Sequence, residues 1–349
     1  MQNKNLYFIS RNYLRLNCGG SIARTDIEMV MERLGCKNIG LKRTFHHNSI
    51  THAIRNSLGA MRALSQLKKG DVLILQYPMK LYFKLLCDTA RKRGAKVINI
   101  VHDLDSFSPK ITVEQEIDLL NRCDILLTHN HMMRKWLQDQ GCKVKMIDYE
   151  IMDYLHGTSG APHQPSSRKY SIFFVGNASC TLNNYLYQLA EVMPDTDIYL
   201  YGTNPATQFT ERLPNLHPMG FVKDTEIIAR HQGDFGISWY GSSLDDGVGK
   251  GIYMNYNNPH KVSLYLRCNA PVIVWNKAGR AEFIEKEGIG ISVDSLRELN
   301  ARFARISTED YEKMTENVMR VNQRLAAGYY LENALAQALA YLEKNNPPE

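Results

Sequence analysis

The first half of the chain alternates short, continuous apolar runs with longer stretches in which apolar residues recur at helical spacing. Continuous apolar runs are typical of parallel strands that are buried on both faces. These runs cover residues 6–10, 72–77, 96–102 and 124–129. The stretches between them predict helices that end at or near a glycine, over residues 22–35, 50–67 and 80–94. This alternation predicts a doubly wound parallel sheet.

A segment without apolar periodicity, residues 153–169, separates this pattern from a second one and has the Pro, Gly and Ser content of a linker. After it, strands are predicted over 171–176, 197–202, 234–240, 271–275 and 288–293, and helices over 181–192 and 224–231. The sequence therefore predicts an N-terminal Rossmann-like domain over 1–155, a linker over 156–170, a C-terminal Rossmann-like domain over 171–330 and a helix over 331–349. Whether that last helix packs on the first domain stays open.

The composition agrees with two globular domains. At 349 residues the chain is longer than one core of ordinary size. Its 44% apolar and 22% charged residues argue against disorder. Seven cysteines without a C-x-x-C pair argue against a disulfide framework and a zinc site, so a reducing cytoplasm fits best. No apolar run approaches the roughly 18 residues of a membrane span.

The positive charge lies in the first half of the chain. Residues 1–153 contain 24 Lys and Arg against 15 Asp and Glu, a net charge of +9, while the remainder contains 18 against 21, or −3. A phosphate ligand or an anionic membrane surface would explain this excess, and so would a scattered solvated face. A nucleic-acid binder would be expected to carry aromatic residues interleaved with basic ones along one face, and no such stripe is seen, so nucleic acid is not expected as a partner. Self-association stays open.

Ligands of open α/β sheets bind beyond the carboxyl ends of the strands, so the residues there are the candidates for a site. In the first half these are the loop 11–21 with its "CGGS", then His102-Asp103 and His129-Asn130. In the second half they are Gly176-Asn177, Tyr201-Gly202, Tyr240-Gly241 and the long loop that reaches Asn258.

The stretch "NNPHK" (257–261) predicts a phosphate site. Asn258 is a good N-cap residue, Pro259 suits the first helical position, and Lys261 then lies in the first turn. Free backbone N–H groups and the helix dipole attract anions there, and the lysine adds a full charge. The alternative is an ordinary cap followed by a solvated lysine. "GVGKG" (247–251) is not a P-loop, because Lys250 is followed by glycine.

The stretch "HDLD" (102–105) places an imidazole and two carboxylates at a strand end. A D-x-D pair is able to hold a divalent metal, but we favour a turn for Asp105 and predict no metal site. His102 or Asp103 is the candidate general base, with Asp26 next, and a structural role is the alternative. "CGGS" (18–21) lacks the spacing of dinucleotide-binding loops, although its glycines suit close approach to a substrate.

Several stretches in this order resemble one bacterial glycosyltransferase family, which contains adhesin glucosyltransferases and β-1,6-galactofuranosyltransferases. They are "IVHD", "FFVGNAS", "IYLYG", "YNNPHKVSLYL", "APVIVW" and "EFIEKEGIGI", and the second-half stretches are the more specific. The resemblance implies an α/β chain with two Rossmann-like domains facing across a cleft, the GT-B fold. It also implies a UDP-sugar donor bound mainly by the second domain, an acceptor glycan bound by the first, and no cofactor or metal.

The resemblance also assigns roles to residues of the sugar-donor site. Lys261 with Asn258 would hold the diphosphate, and Tyr201 would lie by the uridine. The remaining members of the expected site are Gly20, Ser21, Gly176, Asn177, Tyr240, Asn257 and His260. The sequence departs from the family where an arginine often follows "HD" and a basic residue often follows "F-x-G"; here stand residues 106–108, "SFS", and 178–180, "ASC".

The function that these patterns favour is transfer of a hexose, glucose or galactofuranose, from a UDP-sugar to a glycan or lipid-linked glycan, with inversion at the anomeric carbon. Two alternatives stay open: a sugar-nucleotide epimerase of the same two-domain plan, and a non-catalytic protein that binds nucleotide sugars or polyanions. The expected location is the cytoplasm or the inner face of the membrane.

Overall fold

A computed structural model describes residues 5–11, 19–45, 48–79, 82–108, 110–157, 170–245 and 249–345. The chain forms two compact units. The first contains Met1–Asp153 together with Gly328–Glu349, and the second contains Tyr154–Ala327. Most of the predicted linker lies outside the described residues, and so do residues 12–18 of the loop that contains "CGGS" and residues 247–248 of "GVGKG".

The first unit is built on a six-stranded parallel sheet of order β2-β1-β3-β4-β5-β6. The strands are β1 (Leu6–Phe8), β2 (Lys37–Asn38), β3 (Val72–Tyr77), β4 (Lys96–Val101), β5 (Ile125–Thr128) and β6 (Lys145–Asp148). The helices are α1 (Gly19–Arg33), α2 (Ser49–Gln66), α3 (Phe83–Lys92), α4 (Val113–Leu120) and α5 (His131–Asp139). The fully apolar runs form the buried central strands, as predicted, whereas the short edge strands β2 and β6 have too weak an apolar pattern to be recognised.

The second unit repeats the plan with the order β12-β11-β10-β7-β8-β9. Its strands are β7 (Ile172–Asn177), β8 (Ile198–Thr203), β9 (Leu216–Gly220), β10 (Phe235–Ser238), β11 (Val272–Trp275) and β12 (Gly290–Val293). The order reverses between β7 and β10, and such a switch point is where open α/β sheets bind ligands. Both sheets are those of Rossmann-like units, which confirms the predicted fold class.

The helices of the second unit are α6 (Cys180–Asn183), α7 (Tyr185–Val192), α8 (Thr207–Thr210), α9 (Asp224–Arg230), α10 (His260–Arg267), α11 (Ala281–Glu287), α12 (Leu299–Phe303) and α13 (Thr308–Ala327). The single helix predicted over 181–192 is wrong: α6 and α7 are separate. Asn183 donates from Nδ2 to the carbonyl of Asn177 at 2.7 Å, which holds the first turn against the end of β7.

The final helix, α14 (Tyr329–Asn345), belongs to the first unit and packs against α1 and β6. Its first turn is held by Asp153, whose carboxylate accepts from the backbone N–H of Tyr330 at 3.2 Å and of Leu331 at 2.8 Å. Within the described part of the chain, no helix has the length and apolar content needed to cross a membrane.

Candidate functional site

Helix α10 begins directly after the "NNP" stretch, beside the switch point of the second sheet. It starts at His260, with Pro259 in the N-cap position and no side chain capping it. The predicted N-cap role of Asn258 is therefore wrong; its side chain is buried instead. Pro259 has a ψ of 129°, so its backbone is extended and the helix begins one residue later than predicted. Lys261 still lies in the first turn, where backbone N–H groups lack helical partners.

One tyrosine fixes α10 over the switch point. The buried Tyr265 hydroxyl accepts from the N–H of Val175 in β7 at 3.0 Å and donates to the carbonyl of Ile237 in β10 at 3.1 Å. The ring lies on Gly236, where any Cβ would come within 2.3 Å of it. Residues four apart share a helix face, so Lys261 points toward the same strand ends as Tyr265.

Lys261 is half-buried at this position, and its Nζ lies 4.4 Å from the centroid of the Phe174 ring. It makes no hydrogen bond or ion pair with the residues that the structure describes. Desolvation by the surrounding protein, reinforced by the charge of Arg280, lowers the pKa of Lys261 to about 8. The ammonium group is thus held in a place where an anion would stabilise it.

Arg280 is a second cation in this region, and it is not among the residues predicted from the sequence. The guanidinium is buried, and Nη2 donates to Ser238 at the end of β10, to Oγ at 2.7 Å and to the carbonyl oxygen at 3.2 Å. Nη1 donates to the carbonyl of Asn257 at 3.4 Å, and Nε has no partner among the described residues. Burial lowers the pKa of Arg280 to about 9.

No carboxylate of the described chain pairs with either cation. Burying a charge without a counter-charge is costly, so a buried arginine and a half-buried lysine at a switch point are the arrangement expected of a site for an anionic ligand. The signal for Arg280 in the sequence was weak, because an arginine in "NKAGRAEF" has the pattern of an exposed residue at the start of a helix.

Two glycines keep the space beside Lys261 open. Gly176 and Gly202 face each other across β7 and β8, with φ of +146° and +141°. A Cβ on Gly202 would lie 1.9 Å from the carbonyl oxygen of Gly176, so only glycine fits there. A Cβ on Gly176 would lie 3.8 Å from Nζ of Lys261, inside the space that a ligand of the lysine would use.

Four more residues predicted for the sugar-donor site belong to the second unit and differ in whether their polar groups already have hydrogen-bond partners: Asn177, Tyr201, Tyr240 and His260. Asn177 uses its Oδ1 to accept from the N–H of Ser179 at 3.0 Å. Tyr201 lies within β8, not after it, and is buried; its hydroxyl accepts from the N–H of Gln232 at 2.8 Å. His260 stacks on Tyr154, with ring centroids 4.5 Å apart. Tyr240 is half-buried against the core.

His102 and Asp103 directly follow β4 in the first unit, as predicted. His102 is buried, and its Nε2 lies 2.8 Å from Oε1 of Gln76, which makes that nitrogen the hydrogen-bond donor. Asp103 is exposed. Desolvation nevertheless raises the pKa of Asp103 to about 6, while the positive charges of Arg24 and Lys110 oppose the rise.

The loop after His102 is held by buried Glu116, whose carboxylate accepts from the N–H of Asp105 at 2.7 Å and of Ser106 at 3.1 Å. Asp105 begins a 3₁₀ turn and pairs with Nζ of Lys110 at 2.7 Å, which is the predicted turn. No cluster of three His, Cys, Asp or Glu within the described ranges is placed to hold a metal.

Gly20 and Ser21 lie in the first turn of α1, and Asp26 is buried in the same helix. The helix therefore begins three residues earlier than predicted, because the two glycines adopt helical conformation instead of a loop. These residues and the His102-Asp103 pair belong to the first unit, whereas the cation pair Lys261 and Arg280 belongs to the second.

Comparison with known proteins assigns both units. The family model described as the N-terminal domain of glucosyltransferase 3-like proteins matches residues 6–151, and the model of the C-terminal domain matches residues 172–338. Together these models span almost the whole described chain.

Two relatives are similar over nearly their full lengths. The β-1,6-galactofuranosyltransferase WbbI of Escherichia coli K12 is 27% identical over 341 residues, covering 96% of this chain and 98% of that protein. Glucosyltransferase 3 of Streptococcus gordonii is 25% identical over 330 residues, covering 91% and 93%.

A solved structure shares the fold. Anabaena Alr3699/HepE, in complex with UDP and glucose, matches with a TM-score of 0.59 at 10% identity, covering 98% of this chain and 100% of that chain. At this identity the likeness establishes the two-domain GT-B fold and nothing finer.

Proposed function

The chain belongs to the glucosyltransferase 3-like family of GT-B glycosyltransferases, and from that premise we propose that it transfers a hexose from a UDP-sugar to a glycan acceptor with inversion. WbbI is a galactofuranosyltransferase and the streptococcal relative is a glucosyltransferase, so glucose and galactofuranose are the two candidate sugars. HepE forms a complex with UDP and glucose, which supports a uridine nucleotide.

The observation that carries this proposal is the pair of desolvated cations, Lys261 and Arg280, without a carboxylate partner in the described chain. A diphosphate supplies the missing negative charge, and the first turn of α10 supplies free N–H groups. As the bond between the anomeric carbon and the phosphate oxygen breaks, its electron pair moves to the diphosphate. The cations then stabilise the transition state more than the ground state.

The experiment compares Lys261→Ala with the wild type in UDP binding and in sugar transfer. A hydrogen bond to a charged group contributes about 1.5–3 kcal/mol, so we expect affinity to fall roughly ten- to a hundredfold and kcat to fall as well. Lys261→Arg should recover only part, because its planar fork does not replace a compact ammonium. Lys277→Ala, at an exposed lysine shortly after β11, is the matched control.

Unchanged UDP affinity together with unchanged kcat in a folded Lys261→Ala protein would overturn the diphosphate site. UDP-dependent protection against heating that is matched by NAD would argue for another nucleotide-binding activity, since a ligand that binds only the folded state raises the melting temperature.

For the general base we propose His102 or Asp103, each of which would take the proton from the acceptor hydroxyl as its oxygen attacks the anomeric carbon. Alanine at the true base should lower kcat much more than it weakens UDP binding. If both single variants keep normal turnover, Asp26 is the next residue to test.

A glycan or lipid-linked glycan is the proposed acceptor, and the cytoplasm or the inner membrane face is the proposed location, with peripheral membrane contact through the basic first unit. Formation of a homo-oligomer remains a prediction.

We expect no metal requirement, so EDTA should leave transfer intact; loss of transfer with rescue by Mn²⁺ would contradict this. The epimerase alternative predicts sugar interconversion without an acceptor, whereas transfer releases UDP only when acceptor is present.

A further inference from the structure

Helix α2 in the first unit exposes a stripe of large apolar side chains. Ile50 is 70% exposed, Ile54 54%, Leu58 48% and Met61 55%. The spacings of four, four and three residues place all of them on one face of the helix. Leu85 of α3, a helix that packs against α2, is 49% exposed as well. We call these five residues the apolar stripe.

Exposed large apolar side chains are concentrated in the stripe and are not spread evenly over the surface. Ten large apolar side chains of the described chain are exposed to solvent, and half of them belong to the stripe. An isolated exposed apolar residue needs no explanation, whereas a contiguous set on one helix face indicates a surface that something covers.

The whole positive excess of the first 153 residues lies in the same segment of the chain. Residues 41–95, which contain α2 and α3, have 11 Lys and Arg against 2 Asp and Glu, a net charge of +9; the remainder of residues 1–153 has 13 against 13. Arg62 in α2 is exposed, and so are Lys84, Arg91 and Lys92 in α3. One of the two acids, Asp71, is buried and the other, Asp88, pairs with Arg122 at 2.7 Å.

We propose that α2 and α3 form a docking surface for a membrane that contains anionic lipids, with the apolar stripe entering the interface and the flanking basic residues contacting lipid phosphates. An interfacial helix of this kind has large apolar residues on one face and Lys or Arg beside it. Helix α2 contains no acidic residue, so nothing on it repels an anionic surface. The proposal deepens, and rests on, the peripheral membrane contact proposed above.

A second copy of the chain fits this surface less well. Two copies joined through the stripe would bring two segments of net charge +9 against each other, and like charges across an interface disfavour association. An anionic lipid surface offers both the apolar interior and the opposite charge that this surface lacks.

The test is sedimentation of the full-length protein with vesicles of phosphatidylcholine, with and without phosphatidylglycerol. We expect binding only to the anionic vesicles, weakening with salt. The stripe variant Ile54→Ser/Leu58→Ser and the charge variant Arg62→Gln/Lys84→Gln should each lower the partition coefficient at least about tenfold. All four side chains are exposed, so the fold should persist, which the melting temperature checks.

Matched controls lie in the second unit. Val192→Ser/Phe221→Ser removes two exposed apolar residues, and Lys286→Gln/Arg320→Gln removes two exposed charges; both should bind vesicles as the wild type does. The proposal is overturned if the wild type ignores anionic vesicles, if the stripe variant binds them normally, or if the controls lose as much. Conversion of a dimer to a monomer by the stripe variant, without vesicle binding, would identify a second copy as the occupant instead.

Binding of UDP by the same variants separates the two proposals. The stripe and charge variants should bind UDP as tightly as the wild type, because none of these residues belongs to the unit that carries Lys261 and Arg280. Failed vesicle binding with intact UDP binding overturns only the membrane surface, whereas a wild type that does not bind UDP overturns the transfer proposal.

Discussion

At the residue scale, Arg280 carries the stability cost that we expect of the proposed diphosphate site. Its guanidinium is buried and has hydrogen-bond partners at Ser238 and Asn257 but no carboxylate among the described residues. Burying a charge without an opposite charge beside it is costly, because hydrogen bonds replace only part of the hydration that is lost. Residues that serve ligand binding are the usual place for such a loss of stability.

We therefore expect Arg280→Met to raise the free energy of unfolding of the ligand-free protein and, at the same time, to weaken UDP binding at least about tenfold. Urea unfolding and calorimetric UDP titration measure the two quantities. Exposed Arg320→Met should change neither. A variant that loses stability and keeps its UDP affinity would mean that Arg280 only holds β10.

The lowered pKa of Lys261 predicts a pH dependence for the proposed binding of UDP. Because the pKa of Lys261 is about 8 in the ligand-free protein, its ammonium form is lost as pH rises through that value. UDP affinity should fall about tenfold between roughly pH 7 and pH 9 if only the charged form binds. Lys261→Arg is the control. The variant and the wild type have all other titrating groups in common, including the uracil of UDP, but the arginine keeps its positive charge over this pH range.

Folding stability changes with pH in the opposite direction to UDP affinity. The folded pKa of Lys261 lies below the value of 10.5 that it has when unfolded, so between about 8 and 10.5 the unfolded chain binds more protons. This group therefore makes the ligand-free protein more stable as pH rises through that window. Equal pH slopes of UDP affinity for the wild type and Lys261→Arg would contradict the assignment of the lysine as the titrating group.

At the scale of single elements, the sequence predicted what depends on strong local patterns. The central strands were recognisable because burial on both faces requires a continuous apolar run, as in β3 and β11. The break between α6 and α7 was not, because it depends on a hydrogen bond from Asn183 to a residue of β7. The start of α10 lies one residue later than predicted because Pro259 is itself the extended N-cap residue, whereas the Asn-Pro pattern favours proline at the first helical position.

Helix α10 depends on Tyr265 for its place over the sheet. Tyr265→Phe removes the hydroxyl that joins Val175 to Ile237 and leaves both groups without that partner, which should cost about 1–3 kcal/mol. UDP affinity should fall too, because the first turn carrying Lys261 loses its anchor on β7. Urea unfolding and UDP titration test both effects.

Tyr185→Phe is the matched control for this change. Tyr185 is equally buried, but its hydroxyl has no partner in the described chain. Removing that hydroxyl should therefore leave the free energy of unfolding unchanged or raise it. If the two variants lose the same stability, the bridge made by Tyr265 contributes nothing of its own.

At the scale of the whole molecule, the division of the chain follows contacts that sequence patterns do not contain. The predicted boundaries followed the linker, but the first unit also takes the end of the chain, through α14. The apolar positions of α14 predict a helix with one buried face, but the local sequence does not indicate which unit covers that face. In the same way, each strand end was predictable, whereas the approach of Arg280 to Ser238 follows only from the folded sheet.

Helix α14 should be necessary for the folding of the first unit. Deleting residues 328–349 removes Leu331, Leu335 and Leu342 from that unit, all of them buried. It also takes from the buried Asp153 carboxylate the two N–H groups that it accepts from. Full burial of a leucine contributes about 1.5–3 kcal/mol, so the loss of three approaches the whole stability of a typical domain, about 5–15 kcal/mol.

The truncated chain should therefore keep a folded second unit that binds UDP while its first unit is open to protease. Limited proteolysis with mass spectrometry would locate the cuts within residues 1–153, and UDP titration would measure the remaining site. A chain that lacks only residues 346–349 is the control, since it keeps α14 whole. Protease resistance of residues 1–153 without α14 would show that the first unit does not need the helix, whereas loss of UDP binding would show that the second unit does.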